Sequence, residues 1–174
     1  AEAISVPSVQ IAELVKGAFL HDVGKIAISD SILLKPGKLT VEEFESMKTH
    51  TMHGIDIIKQ SSWLTEAAEV VRFHHEKFNG KGYMEGLQGE EIPLNARIFA
   101  VADVFDALTS VRPYKEAFSL TKALEIMQND RGIHFDPAIL DAFLTIAAVL
   151  YAKCHTATDD ALAEELSKLT QKYF

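Results

Sequence analysis

The chain has 174 residues, 48% of them hydrophobic, and one cysteine, which is a single domain's worth of sequence with enough apolar side chain to build a core without disulfides. Lys and Arg number 17 against 25 Asp and Glu, a formal net charge of −8, so the mean field repels a long polyanion and no extended nucleic-acid partner is expected; a few local cations can still hold a small phosphorylated ligand. Cys154 cannot form an internal bridge, and no secretory segment or apolar run long enough to span a bilayer stands out, so a soluble, cytoplasmic chain is expected, a fragment because it begins at Ala1 without an initiator Met.

Residues 9–23 carry apolar side chains at helical spacing, at 11, 14, 15, 18, 19 and 23, with Gly24 as a stop. A turn at "KPGKLT" leads to Thr40, an N-cap with Glu43 at the capping-box position, which opens a helix reaching about residue 60. A further helix runs through "EAAEVVRFHHE". Residues 77–93 hold four glycines and no helical period, and predict a loop or small hairpin. Pro93 opens the next helix, "PLNARIFAVADVFDALTSV", which ends before Pro113. Ser119 caps "LTKALEIMQND", with Gly132 beyond its end, and Asp136 and Pro137 are N-cap and first residue of "PAILDAFLTIAAVLYAK". The last segment, 159–173, is amphipathic with Leu162, Leu166, Leu169 and Tyr173 on one side. The expected fold is all-α, one helical bundle with a short irregular loop: a core over 10–145 and a helical extension over 146–174.

Four places break the apolar pattern with ligand-type residues: His21–Asp22, His50, His74–His75 and Asp103. An ionised carboxylate on a dry helix face costs several kcal/mol unless it is paired or metal-bound, so Asp22 and Asp103 demand partners. Each place taken alone also has a plainer reading. His50 can be a hydrogen-bonded core histidine with His53 competing for its role, His74–His75 a helix end exploiting its dipole, and Asp103 an ion pair with Arg97 or Arg112. Together, four imidazoles and two carboxylates exceed what one structural zinc needs and match a two-metal site with open positions. Lys25 falls three residues after Asp22 and four after His21, beside the same site.

"HDVGK", the His of "MKTHTMHG", "HHEKFNGKGY" and "ADVFDALTSVRPYK", in that order and spacing, resemble the HD-GYP family of HD-domain metal phosphohydrolases over about residues 10–145. The resemblance implies a helical fold and hydrolysis of cyclic di-GMP to linear pGpG and in some members to GMP. It also implies two divalent transition metals, iron or manganese first, with zinc, nickel or magnesium as alternatives. It places His21, Asp22, His50, His74, His75 and Asp103 at the metal-ligand positions, with Asp22 as the bridge. Lys25 matches a phosphate-contacting lysine, and Tyr83, Arg112 and Lys115 match residues that contact the dinucleotide. Asp106, one turn beyond Asp103, is read as orienting a ligand or water, or alternatively as an ordinary surface carboxylate.

This sequence departs from the family in its Gly82-Tyr83-Met84 tripeptide, where the family has Pro last, and in Lys77 and Asn79 at flanking positions often filled by Arg and Asp. Met frees a torsion that Pro fixes, so a looser loop, or a differently held Tyr83, is expected. The family's further upstream His ligand falls before this chain begins. The main alternative is a catalytically weak module that binds a cyclic dinucleotide or docks a partner such as a GGDEF-type cyclase through loop 77–93, and another is a phosphohydrolase for a different cyclic dinucleotide or nucleotide. A homodimer also stays open.

Overall fold

The computed structural model describes residues 1–111 and 116–173. Its regular elements are helical: α1 Ser8–Leu20, α2 Asp30–Leu33, α3 Val41–Lys48, α4 His50–Ile58, α5 Ala68–Phe73, α6 Leu94–Thr109, α7 Leu120–Asn129, α8 Pro137–Thr156 and α9 Asp159–Tyr173. Among the described residues no strand forms, and pairing is confined to isolated bridges such as Asn79 with Gln88, which pinches the glycine-rich loop. The caps are those the sequence predicts. Thr40 and Glu43 form a reciprocal capping box, the Ser119 hydroxyl accepts from Lys122 N–H, and the Asp136 carboxylate accepts from Ala138 and Ile139 N–H ahead of Pro137.

Three boundaries differ from the sequence reading, and all three bear on the site. The first helix stops at Leu20 and the chain tightens into a 3-10 turn over Val23–Ala27, so His21 and Asp22 lie at a corner and not on a helix face. The expected helix to residue 60 breaks at Thr49, whose hydroxyl donates to Ser46 O at 2.7 Å, and His50 begins a new helix. The third helix is a 3-10 turn, Ser62–Ala67, followed by a short α5 that ends at Phe73, so His74 and His75 lie just past it. Periodicity reports which residues face a core; it is blind to a bend that keeps the same face inward.

Gly24 is not a helix stop. A Cβ built there would sit 1.9 Å from His50 O and 2.4 Å from Gly54 N, so only glycine lets the 3-10 turn lie directly on α4 and deliver Asp22 to His50. The main core joins Ile11 and Leu14 of α1, Val70 of α5, Ile98, Phe99 and Val101 of α6, Met127 of α7 and Leu140 of α8. A second cluster, Ile55, Ile58, Ala67 and Val71, packs α4 against α5. Arg97 is committed to Asp136, with Nη1 to Oδ2 at 2.6 Å, and its Nε donates to Ile92 O, tying α6 to the start of α8.

One helix, Pro137–Thr156, is long and apolar enough to cross a membrane, with mean hydropathy 1.5, although no such run was expected. Asp141 and Lys153 interrupt it, so no unbroken apolar stretch is visible in the sequence; here the helix packs on α6 and α7. In α9 the expected stripe is split, with Leu162, Leu166 and Leu169 exposed and Tyr173 packed against the core. Arg112 and Lys115 lie outside the described residues.

Candidate metal centre

A helix leaves the carbonyls of its last turn without intrahelical partners. Three histidine rings bond to carbonyls of such last turns at the three corners just described, His74 sharing Val70 O with its own backbone N–H. His21 Nδ1 lies 2.7 Å from Ala18 O at the end of α1, His50 Nδ1 lies 2.7 Å from Met47 O at the end of α3, and His74 Nδ1 lies 3.0 Å from Val70 O at the end of α5. A carbonyl only accepts, so in each ring Nδ1 is the protonated nitrogen, and a neutral ring then carries its lone pair on Nε2. Two of these Nε2 atoms face each other, and the third joins them through a carboxylate. His50 Nε2 is 3.4 Å from His74 Nε2, and the Asp22 carboxylate reaches His21 Nε2 through Oδ2 at 3.2 Å and His50 Nε2 through Oδ1 at 3.5 Å.

His75 joins them from the same turn, its ring centroid 4.0 Å from that of His74 and 5.1 Å from that of His50. His50, His74 and His75 each offer a ligand atom within 4.8 Å of the others. The cluster rests on Phe99, whose ring lies 4.7 Å from His21 and 6.1 Å from His74. A cavity of about 370 Å³ opens onto it, lined by His21, Asp22, Lys25, His74, His75, Asp103 and Asp106; His50, 1% exposed, is buried beside His74 and His75. All six expected metal ligands therefore converge. Lys25 Nζ bonds Asp22 Oδ2 at 2.6 Å. Asp106 is solvent-exposed and accepts from Ser110 Oγ at 2.8 Å. His53, on α4, stands apart from the three-histidine group.

The electrostatics favour a cation. Burial, reinforced by the neighbouring imidazoles, lowers His74 to about 4 and His75 to about 2, and burial also lowers His50. These rings are neutral at pH 7, the form that binds metal. Burial would raise Asp22, but hydrogen bonds from His21 and Lys25 and their charges outweigh it and hold the carboxylate far below its ordinary range. For His21, burial is outweighed in the other direction by Asp22, Ala18 O and the charge of Asp103, which raise it. Two lone pairs facing each other at 3.4 Å repel unless something positive lies between them, and that spacing lets both bind one ion at about 2.0–2.1 Å. The donor set thus fits divalent transition metals. The ends of α1, α3 and α5 also turn their negative dipole ends toward it.

Above the cluster, Tyr83 stacks on His75 with centroids 4.6 Å apart and meets Phe44 edge-on at 5.9 Å. Lys48 Nζ lies 5.7 Å from the Tyr83 ring. The loop around Met84, expected to be looser or to hold Tyr83 differently, is tied down at several points. Asn79 pairs with Gln88, Arg72 Nε donates to Glu85 at 2.7 Å, and the Glu76 carboxylate accepts from two backbone N–H groups of the loop. Sequence reasoning passed over Glu76, Phe99 and Arg72. Phe99 reads as ordinary core, whereas the charge of Glu76 directly after His75 was a visible signal.

A bundle whose helix ends gather a His-Asp pair and three further histidines around one pocket is the architecture of the HD domain. The HD-domain family model matches residues 1–139, and the chain belongs to that family. It is 52% identical over 140 residues to a cyclic di-GMP phosphodiesterase of Vibrio cholerae, an alignment covering 76% of this chain and 28% of that protein. It is 47% identical over 156 residues to the cyclic di-GMP phosphodiesterase response regulator RpfG of Xanthomonas campestris pv. campestris, covering 88% and 41%. A 3′3′-cGAMP-specific phosphodiesterase of Vibrio cholerae is 43% identical over 136 residues, covering 76% and 26%. The chain thus spans less than half the length of these relatives. The fold is shared with the crystal structure of a cyclic GMP-AMP-specific phosphodiesterase of Vibrio cholerae, at TM-score 0.74 and 20% identity over 98% of this chain and 46% of that one.

Proposed function

We propose that this chain is the catalytic domain, of HD-GYP type, of a phosphodiesterase that hydrolyses cyclic di-GMP to linear pGpG, using two divalent transition metals, iron or manganese first. The observation that carries the reading is the set of Nε2 atoms and one carboxylate brought together by three helix ends. His21, His50, His74, His75 and Asp103 would hold the ions, with Asp22, whose two oxygens already face two different imidazoles, between them. Such ions, when bound, supply Lewis acidity toward a phosphate oxygen and an activated water for attack at phosphorus.

The chain's own groups do the rest. Lys25 stands beside Asp22 to offset charge on the non-bridging phosphate oxygens, and Asp106 in the cavity lining orients a ligand or water. Tyr83 offers a ring face to the dinucleotide, and Arg112 and Lys115 hold its second phosphate or a guanine edge, Arg by a bidentate contact. A loop tied back over His75 supports substrate binding there over a role in docking a cyclase. The relatives named for 3′3′-cGAMP favour a second reading in which that dinucleotide is the substrate. Chromatography of products from both dinucleotides, with the whole protein reconstituted anaerobically with iron or manganese, separates the two. Faster turnover of cyclic di-GMP to pGpG is expected; faster turnover of 3′3′-cGAMP supports the second reading, and hydrolysis of neither rejects both.

A further inference from the structure

The turn that carries His74 and His75 continues into Glu76, a carboxylate only 2% exposed to which the proposed chemistry gives no role. Its Oε1 accepts from Glu85 N–H at 2.7 Å and from Gly86 N–H at 3.0 Å, while Oε2 is buried with no hydrogen-bond partner among the described residues. Burying a carboxylate with one oxygen unsatisfied is costly, and a position that needed only volume would hold an apolar side chain. The two hydrogen bonds accepted by Oε1 are what a polar side chain at this position supplies.

Those bonds clamp the loop just beyond Tyr83. Just before it, a Cβ at Gly82 would come within 2.4 Å of Glu76 Cα and Lys77 N, so the chain there lies directly on the 76–77 backbone. Tyr83 itself donates N–H to His75 O at 3.3 Å. Held on both sides, its ring stacks on His75.

We propose that Glu76 is a positioning residue: through its two backbone hydrogen bonds it sets Tyr83 against His75 and so governs substrate affinity at the metal centre. The inference rests on the reading of Tyr83 as a substrate contact. In the whole, metal-loaded protein, Glu76→Ala is expected to raise KM for cyclic di-GMP about tenfold with kcat and metal content within about twofold of the parent. Glu76→Gln, which keeps an acceptor oxygen in place, is expected to stay near the parent. Because Glu76 acts through Tyr83, Glu76→Ala combined with Tyr83→Ala should be no worse than Tyr83→Ala alone. Should the Ala variant not fold, Glu76→Asp, which withdraws the oxygens by one methylene, is expected to raise KM in the same way. An unchanged KM in the Ala or Asp variant, or losses that multiply in the double variant, would overturn the proposal. Trypsin cleavage after Lys81 gives a readout independent of activity, faster in Glu76→Ala and parental in Glu76→Gln. A parent that hydrolyses no cyclic dinucleotide would contradict the proposed function, and the cleavage rates would still decide the role of Glu76.

Discussion

At the scale of single residues, the buried imidazoles link the site's chemistry to the stability of the fold. His74 has an ordinary value of 6.5 in the unfolded chain and about 4 in the folded one, so between those values the unfolded state binds more protons. Stability is then fully present above pH 6.5 and lost as pH falls toward 4. His50 and His75 act in the same direction, while His21, raised, contributes stability that is present below its unfolded value and lost above it. Denaturant unfolding of the metal-free protein should therefore show a loss of roughly 2–3 kcal/mol from His74 alone by about pH 4.5. An unfolding midpoint that does not change from neutral pH down to that point would contradict the assigned burial. The six ligand-type residues were legible in the sequence because charge and imidazole interrupt an apolar period. Glu76 was not singled out although its charge directly follows His75, because a Glu at the end of an expected helix also reads as an ordinary surface residue.

At the scale of elements, the site is made by helix ends. Sequence periodicity placed α6, α7 and α8 well, and the caps at Thr40, Ser119 and Asp136 matched their predicted roles. The breaks at His21, Thr49 and Phe73 were illegible, since each keeps its flanking residues on the same inward face. Yet these breaks bring the last-turn carbonyls within reach of the imidazole rings and so fix their tautomers. Gly24 shows how sharply the arrangement is specified. Gly24→Ala would drive a methyl into the His50 carbonyl, backbone that cannot swing aside, and should cost about 2–4 kcal/mol. The thermal midpoint and metal content should fall together, because the displaced 3-10 turn carries Asp22. A Gly24→Ala variant with parental stability would contradict the packing of this turn on α4.

At the scale of the whole molecule, a chain of net charge −8 is proposed to act on an anionic dinucleotide, so the burden of attraction falls on one pocket. Lys25 in that pocket, Arg112 and Lys115 along the chain from it, and above all the ions held by the imidazoles would reverse the field locally. The helical fold and the HD-domain family were both legible, because the motifs recur in order over most of the chain; the packing of α8 and α9 was not. The central claim is that two metals are shared across Asp22. Elemental analysis of the whole protein after anaerobic reconstitution with iron or manganese, beside Asp22→Ala, tests it most directly. The account predicts at least two ions per parent chain and a loss of one or more in Asp22→Ala; fewer than one ion per parent chain, or the same stoichiometry in both proteins, would contradict it.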